Sequence, residues 1–370
     1  MVQTFQQDCL QILDAKRRDG TIDRRGFITA LAMLGAAPAI LRGGAARAAE
    51  GEFIVANWGG DAIDAFQSAF GDGFAEASGL TVRTEGAAPT RGAMQAQAES
   101  GAILWDVADS DGATPIQLAQ DGLVEPMDYS IIDKEKLEPG AAFEHTVPPY
   151  YYSYVLTYDA RRFGDDAPKT WADFWDVEKY PGKRTMTKWL GAAMEAALLA
   201  DGVAPQDLYP LDMDRAMRKL EEIKPHVTSF WSSGAESQQL MRDGEATMGM
   251  LWHTRASLVE RDTEGDVSWT FENGLMTPSG WAVLKGNPAG ARAAMEYIAF
   301  AQDPERQVEL LRLMSNGPAN PAAHALVPDE LKRFDCSSPE NLARQVIMDM
   351  QWYADNGDEA FERFLAYTAS

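Results

Sequence analysis

The chain has 370 residues, 45% of them hydrophobic, and carries 33 Lys and Arg against 56 Asp and Glu, a formal net charge of −23. That length supports a large core and favours two domains, while the acidity excludes nucleic acid and anionic lipid as partners. Cysteines stand only at positions 9 and 336, so a disulfide-built scaffold is excluded as well.

Residues 23–38, DRRGFITALAMLGAAP, place Arg24 and Arg25 directly before an apolar run that extends to Ile40. The run is too short to span a bilayer comfortably. A charged stretch, a short apolar stretch and then Ala46-Arg47-Ala48 match an export leader with a small-x-small cleavage site. The arginine pair is of the twin-arginine type, so residues 1–48 are expected to be an export signal and the mature chain to begin at Ala49. Removing 7 basic and 4 acidic residues with it leaves a net charge of −26. No cysteine stands at the cut to carry lipid, and no later apolar run reaches about 18 residues. A soluble periplasmic protein is expected.

After the leader, EFIVAN reads as a strand over 52–57 that breaks at Trp58-Gly59-Gly60. Ile63, Phe66, Phe70 and Phe74 recur at helical spacing and predict an amphipathic helix. LTVRTEG returns to extended structure, GAMQAQAESG reads as helix, ILWDVADSDG as a strand ending in a polar turn, and ATPIQLAQ as a short helix. This is the start of an α/β layer arrangement. PYYYSYVLTYDARRF, aromatic and extended, is a strand suited to cross between lobes. A second α/β block follows: the helices GAAMEAALLADG and DMDRAMRKLEEIKP, then SGAESQQLMRDGE and the strand-helix pair ATMGMLWHTRASLVE. Residues 271–287 predict a turn and a return strand, 288–316 a pair of helices, 320–326 an irregular segment and 338 onward a helical tail.

The expected fold is therefore α/β and two-lobed, with the chain crossing near 147–157 and 272–282 and residues 283–314 returning to the first lobe. The lobe boundaries are placed at 49–150 plus 281–320 for lobe 1 and 151–280 for lobe 2, with 321–370 as a C-terminal helical segment packed on the lobes.

The chemistry of an enzyme is hard to find in this chain. There is no GxSxG elbow, no HExxH and no GxxxxGK[ST] frame, and the histidines at 145, 226, 253 and 324 are isolated. An exported lyase or hydrolase would have to rely on carboxylates and tyrosines. A ferric site built on Tyr150, Tyr151 and Tyr152 meets the alternation of an extended strand, which cannot turn all three to one ion.

Aromatic residues near strand ends are the distinctive resource. Trp58 precedes two glycines, and Gly59 lets backbone approach a ligand. Trp105, Trp189, Trp231, Trp252 and Trp281 add further indoles, whose faces attract cations by about 0.5–2 kcal/mol. Alternation puts Asp109 and Asp111 on one side of their strand as candidate ammonium acceptors, whereas Asp61 reads as a helix cap. Arg255, close to Trp252, carries the opposite chemistry: a guanidinium grips a carboxylate in bidentate fashion.

Taken together, VANWGG, WDVADSDG, TWADFWD with YPGKR, GEATMGMLW, WAVLKGNP and NGPANPAA resemble the periplasmic solute-binding proteins of ABC importers, in the spermidine/putrescine-binding branch. The resemblance spans essentially 49–370. It implies a type II periplasmic-binding fold with ligand clamped between lobes, no catalysis, no cofactor and no metal, and delivery to a membrane permease by a monomer. Carried over by motif, Trp58 lies against the ligand, Asp109 and Asp111 line the polar end, and Trp252 sandwiches the aliphatic chain, with Trp231 nearby. Where the family places a carboxylate on the return strand, this chain has Ser279. That departure leaves room, beside a polyamine-like amine, for an amino-carboxylate or a betaine, and a diamine would need a second carboxylate such as Glu272. Glu195 is expected on a helix face.

Overall fold

The computed structural model describes residues 51–138 and 140–369; the leader lies outside the described residues. The first block runs β1 (Glu52–Asn57), α1 (Asp61–Phe66), a π-helical turn (Gln67–Gly71), α2 (Asp72–Ser78), β2 (Thr81–Gly86), α3 (Arg91–Ser100), β3 (Val107–Asp111) and α4 (Ala113–Gln120). Phe66, Phe70 and Phe74 are all buried, so the expected helical stripe exists, and the π turn keeps it facing inward across α1 and α2. Gly79 ends α2 in the left-handed conformation, where a side chain would be strained.

β4 (Tyr150–Asp159) opens the second block, followed by α5 (Ala160–Phe163), α6 (Trp171–Trp175), β5 (Arg184–Thr187), α7 (Ala193–Ala200), α8 (Met213–Ile223), β6 (Val227–Trp231), α9 (Gly234–Arg242), β7 (Met248–Trp252) and α10 (His253–Asp262). Local chemistry starts these helices: Thr170 and Asp173 form a capping box on α6, Asp212 caps α8 and Ser233 caps α9. β8 (Val267–Ala282) then carries the chain back to α11 (Ala291–Ala301), α12 (Pro304–Met314), β9 (Gly317–Pro318), α13 (Pro339–Leu342), β10 (Gln345–Ile347) and α14 (Met350–Ala369). Among the described residues no helix is long and apolar enough to cross a membrane.

β8 unites the sheets. Its residues 267–278 pair antiparallel with β4, and residues 279–282 pair antiparallel with β3. On one side β2, β1 and β3 run parallel; on the other β5 lies parallel between β6 and β7, and β7 is antiparallel to β4. The strand order is β2-β1-β3-β8-β4-β7-β5-β6.

Two large cores flank this seam. Phe53, Phe66, Phe70 and Trp281 pack with Tyr297, Ile298 and Leu310 of α11 and α12, so those helices cover the first sheet. Phe174, Leu198, Leu220 and Trp231 pack with Trp352, Tyr353 and Phe364 of α14, so the tail helix covers the second block. Two details differ from the sequence reading. β8 begins at Val267, upstream of the expected turn, and continues through Asn273 at a positive φ of 55°. The tail also contains a strand, β10, which lies parallel to β8 at Gly274–Met276; with only three residues it offers no periodicity to read.

Candidate ligand-binding site

In both blocks the parallel strands end at the residues with the most chemistry: Trp58 after β1, Asp111 at the end of β3, Trp189 after β5, Trp231 at the end of β6 and Trp252 at the end of β7. The carboxyl ends of strands are where open α/β sheets bind ligands, because loops there converge with helix N-termini.

From the first block, Trp58 projects with 45% of its surface exposed. Its loop is fixed from below by Asn57, which is fully buried. Asn57 accepts from the Gly59 amide at 2.9 Å and donates to the Ala62 carbonyl at 2.8 Å. Gly59 has φ +79°, and a Cβ on Gly86 would stand 2.8 Å from the Gly59 Cα, so the two loops touch backbone to backbone. Asp61 heads α1 but makes no capping hydrogen bond, contrary to the expected cap.

The two candidate aspartates of β3 occupy different environments. Asp111 is half-buried and accepts from the Ala113 and Thr114 amides and the Thr114 hydroxyl, which starts α4. Asp109 is buried, and the Tyr150 hydroxyl donates to it at 3.0 and 3.1 Å from its two oxygens. Burial pushes the Asp109 carboxyl up to about 8, with the Tyr150 hydrogen bond opposing and the Asp111 charge adding to the shift. The Ser279 hydroxyl is also buried and is spent on the Tyr150 carbonyl at 2.9 Å. Asp109 and Ser279 thus form a layer behind the site that holds Tyr150.

The second block supplies an aromatic wall. Tyr150, Tyr152 and Tyr154 alternate onto one face of β4, and Tyr151 turns to the opposite core with Cys336. Trp252 stands edge-on to Tyr152 and Tyr154, at 6.4 and 6.3 Å between ring centroids. Trp231 lies behind it at 5.0 Å, wholly buried, with its indole N–H donated to the Met250 carbonyl. The Trp252 indole nitrogen is buried with no hydrogen-bond partner. Tyr152 and Tyr154 were placed by the sequence in a crossing strand but not among the candidate ligand-binding residues.

Arg255, in the first turn of α10, is half-buried; its Nε has no hydrogen-bond partner, and it enters no ion pair among the described residues. Burial lowers its pKa, while Asp61 and Tyr150 act on it in the opposite sense, which brings α1 and β4 within electrostatic reach of the guanidinium.

Other sequence candidates fall elsewhere. Glu272, considered as a second carboxylate for an amine, is instead paired with Arg344 at 3.0 Å beside a different groove. Glu195 lies on the buried face of α7 and takes hydrogen bonds from the hydroxyls of Tyr209 and Tyr353. His253 accepts the Ser153 amide at Nδ1, with Nε2 against the Ser315 carbonyl; burial drops it to about 4, so it is a neutral fastener. A groove of about 670 Å³ near Trp269 collects His324, Lys332, Arg333 and Arg344, but each is matched by a carboxylate: Asp335, Asp329, Glu260 and Glu272.

Two sheets joined by a crossing strand, with aromatic and charged loops at the carboxyl ends of both, define a two-lobed binding protein of the type II periplasmic class. Comparison with known proteins agrees: residues 62–333 match the family model of bacterial extracellular solute-binding proteins, and the chain belongs to that family. It is 32% identical over 282 residues to a γ-aminobutyric acid-binding protein of Pseudomonas aeruginosa, covering 75% of this chain and 79% of that one. Among solved structures it is similar to the Atu4243 GABA receptor, with 34% identity, a TM-score of 0.79 and coverage of 86% and 98% of the two chains. It is also similar to an ABC transporter substrate-binding protein from Bradyrhizobium japonicum, with 36% identity, a TM-score of 0.81 and coverage of 85% and 99%. The chain is a solute-binding component of an ABC importer and works with a membrane permease.

Proposed function

We propose that the solute is a small amino-carboxylate of the γ-aminobutyrate class, bound with its carboxylate on Arg255. One observation carries this reading: a half-buried guanidinium that enters no ion pair among the described residues stands at the site. A diamine would bring an ammonium toward that cation, and like charges at short range in a partly desolvated site repel. A carboxylate neutralises that charge and accepts from the terminal N–H groups of the guanidinium. The relatives named for γ-aminobutyrate support the same class.

In this reading the methylene chain lies between Trp58 and the Trp252 wall, with Tyr152 and Tyr154 completing it and Trp231 buttressing from behind. Gly59 lets the first loop close on the ligand. The ammonium is taken by Asp111, with Asp61 adding negative charge, while Asp109 and Ser279 hold Tyr150 in place. A polyamine is the second reading, favoured by the same aromatic wall and by those aspartates. The proposal includes lobes at 49–150 with 281–320 and at 151–280, a 321–370 segment packed on them, a monomer, and twin-arginine export to the periplasm.

The test is a thermal-shift screen of the mature chain against γ-aminobutyrate and other γ-amino acids, putrescine, spermidine, glycine betaine and succinate. A ligand present at about 100 times its Kd stabilises the bound state by about 2.7 kcal/mol. The γ-amino acids are expected to raise the melting temperature by several degrees. Stabilisation by putrescine or spermidine with none from the γ-amino acids would overturn the proposal.

A further inference from the structure

We infer that Gly234 is a positioning residue for Arg255, and that the absence of a side chain there sets where the guanidinium lies and hence which solutes the site accepts. The inference rests on the amino-carboxylate reading above and names a residue outside the site as first read.

Gly234 is the first residue of α9, and it is buried. Its backbone does not call for glycine: its φ is not among the positive values that exclude a side chain. Alanine is the better helix former, so local stability argues against glycine here too. Space is what requires it. A Cβ on Gly234 would stand 2.5 Å from Nε of Arg255, 3.0 Å from Cδ and 3.2 Å from Cγ. The arginine stem therefore lies flat on the bare start of α9, and Nε faces the place a methyl group would fill.

On α9 itself the seat has no counter-charge, and the carboxylate that acts on Arg255 is Asp61 of α1. Ser233 caps α9 through the Glu236 amide, and the Glu236 carboxylate turns back to the Ser232 amide and hydroxyl. The one acidic residue in the first turn of α9 is thus occupied away from Arg255. The guanidinium also lies beside the positive end of the α9 dipole. A cation held against a helix N-terminus, with the α9 carboxylate engaged elsewhere and no ion pair closed to Asp61, is an arrangement that an incoming anion stabilises. Moving the stem by the width of a methyl group rotates the guanidinium away from the position facing Tyr150 and Asp61. An arginine stem is flexible and the fold can absorb that movement, so the change should be read in binding rather than in folding.

The experiment is a double-variant set, Gly234→Ala, Arg255→Ala and both together, titrated with γ-aminobutyrate by calorimetry and melted without ligand. Gly234→Ala is expected to lose at least about fivefold in affinity while its ligand-free melting temperature falls by no more than about 3 °C. With Arg255→Ala the added methyl enters vacated space, so the double variant should melt no lower than Arg255→Ala alone and bind no more weakly. Affinity retained by Gly234→Ala, a larger fall in its melting temperature, or an equal further loss in the double variant would each overturn the inference. Failure of the underlying reading shows separately: Arg255→Ala would then bind γ-aminobutyrate as tightly as the parent, whatever Gly234→Ala does.

Discussion

At the scale of single residues, the site is organised by groups whose ionisation is set by burial. Asp109 is the clearest case, because a carboxyl held at about 8 is protonated in the folded state across the range where it ionises in the unfolded chain. Between pH 4 and 8 the folded protein therefore binds a proton that the unfolded chain has released. The contribution of this group is fully present below about pH 4 and is lost as pH rises toward 8. At the limit of complete burial the loss is roughly 6 kcal/mol, at about 1.4 kcal/mol per pH unit. An Asp109→Asn variant keeps the shape and removes the titration. Urea unfolding at pH 5 and pH 8 should show a smaller fall in stability for the variant than for the parent, and an equal fall in both would refute a buried neutral carboxyl. The same scale separates what composition alone merges: of the two aspartates two residues apart on β3, Asp111 keeps partial exposure and Asp109 is sealed under Tyr150.

At the scale of elements, the order of strands and helices was legible because periodicity and caps carry it. Phe66, Phe70 and Phe74 mark the α1–α2 stripe, and the Trp58-Gly59-Gly60 break marks the end of β1. Features that depend on partners distant in sequence were not legible. β10 exists because β8 offers an edge at Gly274–Met276. Asn57 reads as an ordinary strand residue until the Gly59 and Ala62 bonds are seen. Gly234 resembles any helix-start glycine until Arg255 is found against it. The fastening of α14 is of this kind too. Tyr353 reaches from α14 to the fully buried Glu195 of α7 at 2.8 Å to both oxygens, and Tyr209 donates to the same carboxylate. Burial raises the Glu195 pKa, and these hydroxyls oppose the shift. Tyr353→Phe leaves that buried carboxyl short of a donor, at a cost of about 1–3 kcal/mol. Denaturant unfolding should register the loss while solute affinity stays at the parent level; a change in affinity with stability unmoved would place Tyr353 in the binding site instead.

At the scale of the whole molecule, β8 is the member through which the two sheets communicate, since it pairs with β3 at one end and β4 along the rest. Trp58, Asp61 and Asp111 come from the first block; Tyr152, Tyr154, Trp252 and Arg255 come from the second. A solute touching both sets biases the molecule toward the arrangement in which they meet, and two-lobed closure around a ligand needs only that differential contact. The chain is strongly acidic, yet Arg255 at the candidate site enters no ion pair among the described residues, so net charge does not fix the sign of the charge inside the site. The central claim is that Arg255 holds the carboxylate of an amino-carboxylate solute. The most direct measurement is calorimetric titration of the parent and of Arg255→Ala with γ-aminobutyrate and putrescine side by side. The account predicts that the parent prefers γ-aminobutyrate and that Arg255→Ala loses about 100-fold or more, as expected when a charge-assisted hydrogen-bonded pair worth some 3 kcal/mol is removed. Preference of the parent for putrescine, or unchanged γ-aminobutyrate affinity in Arg255→Ala, would contradict it.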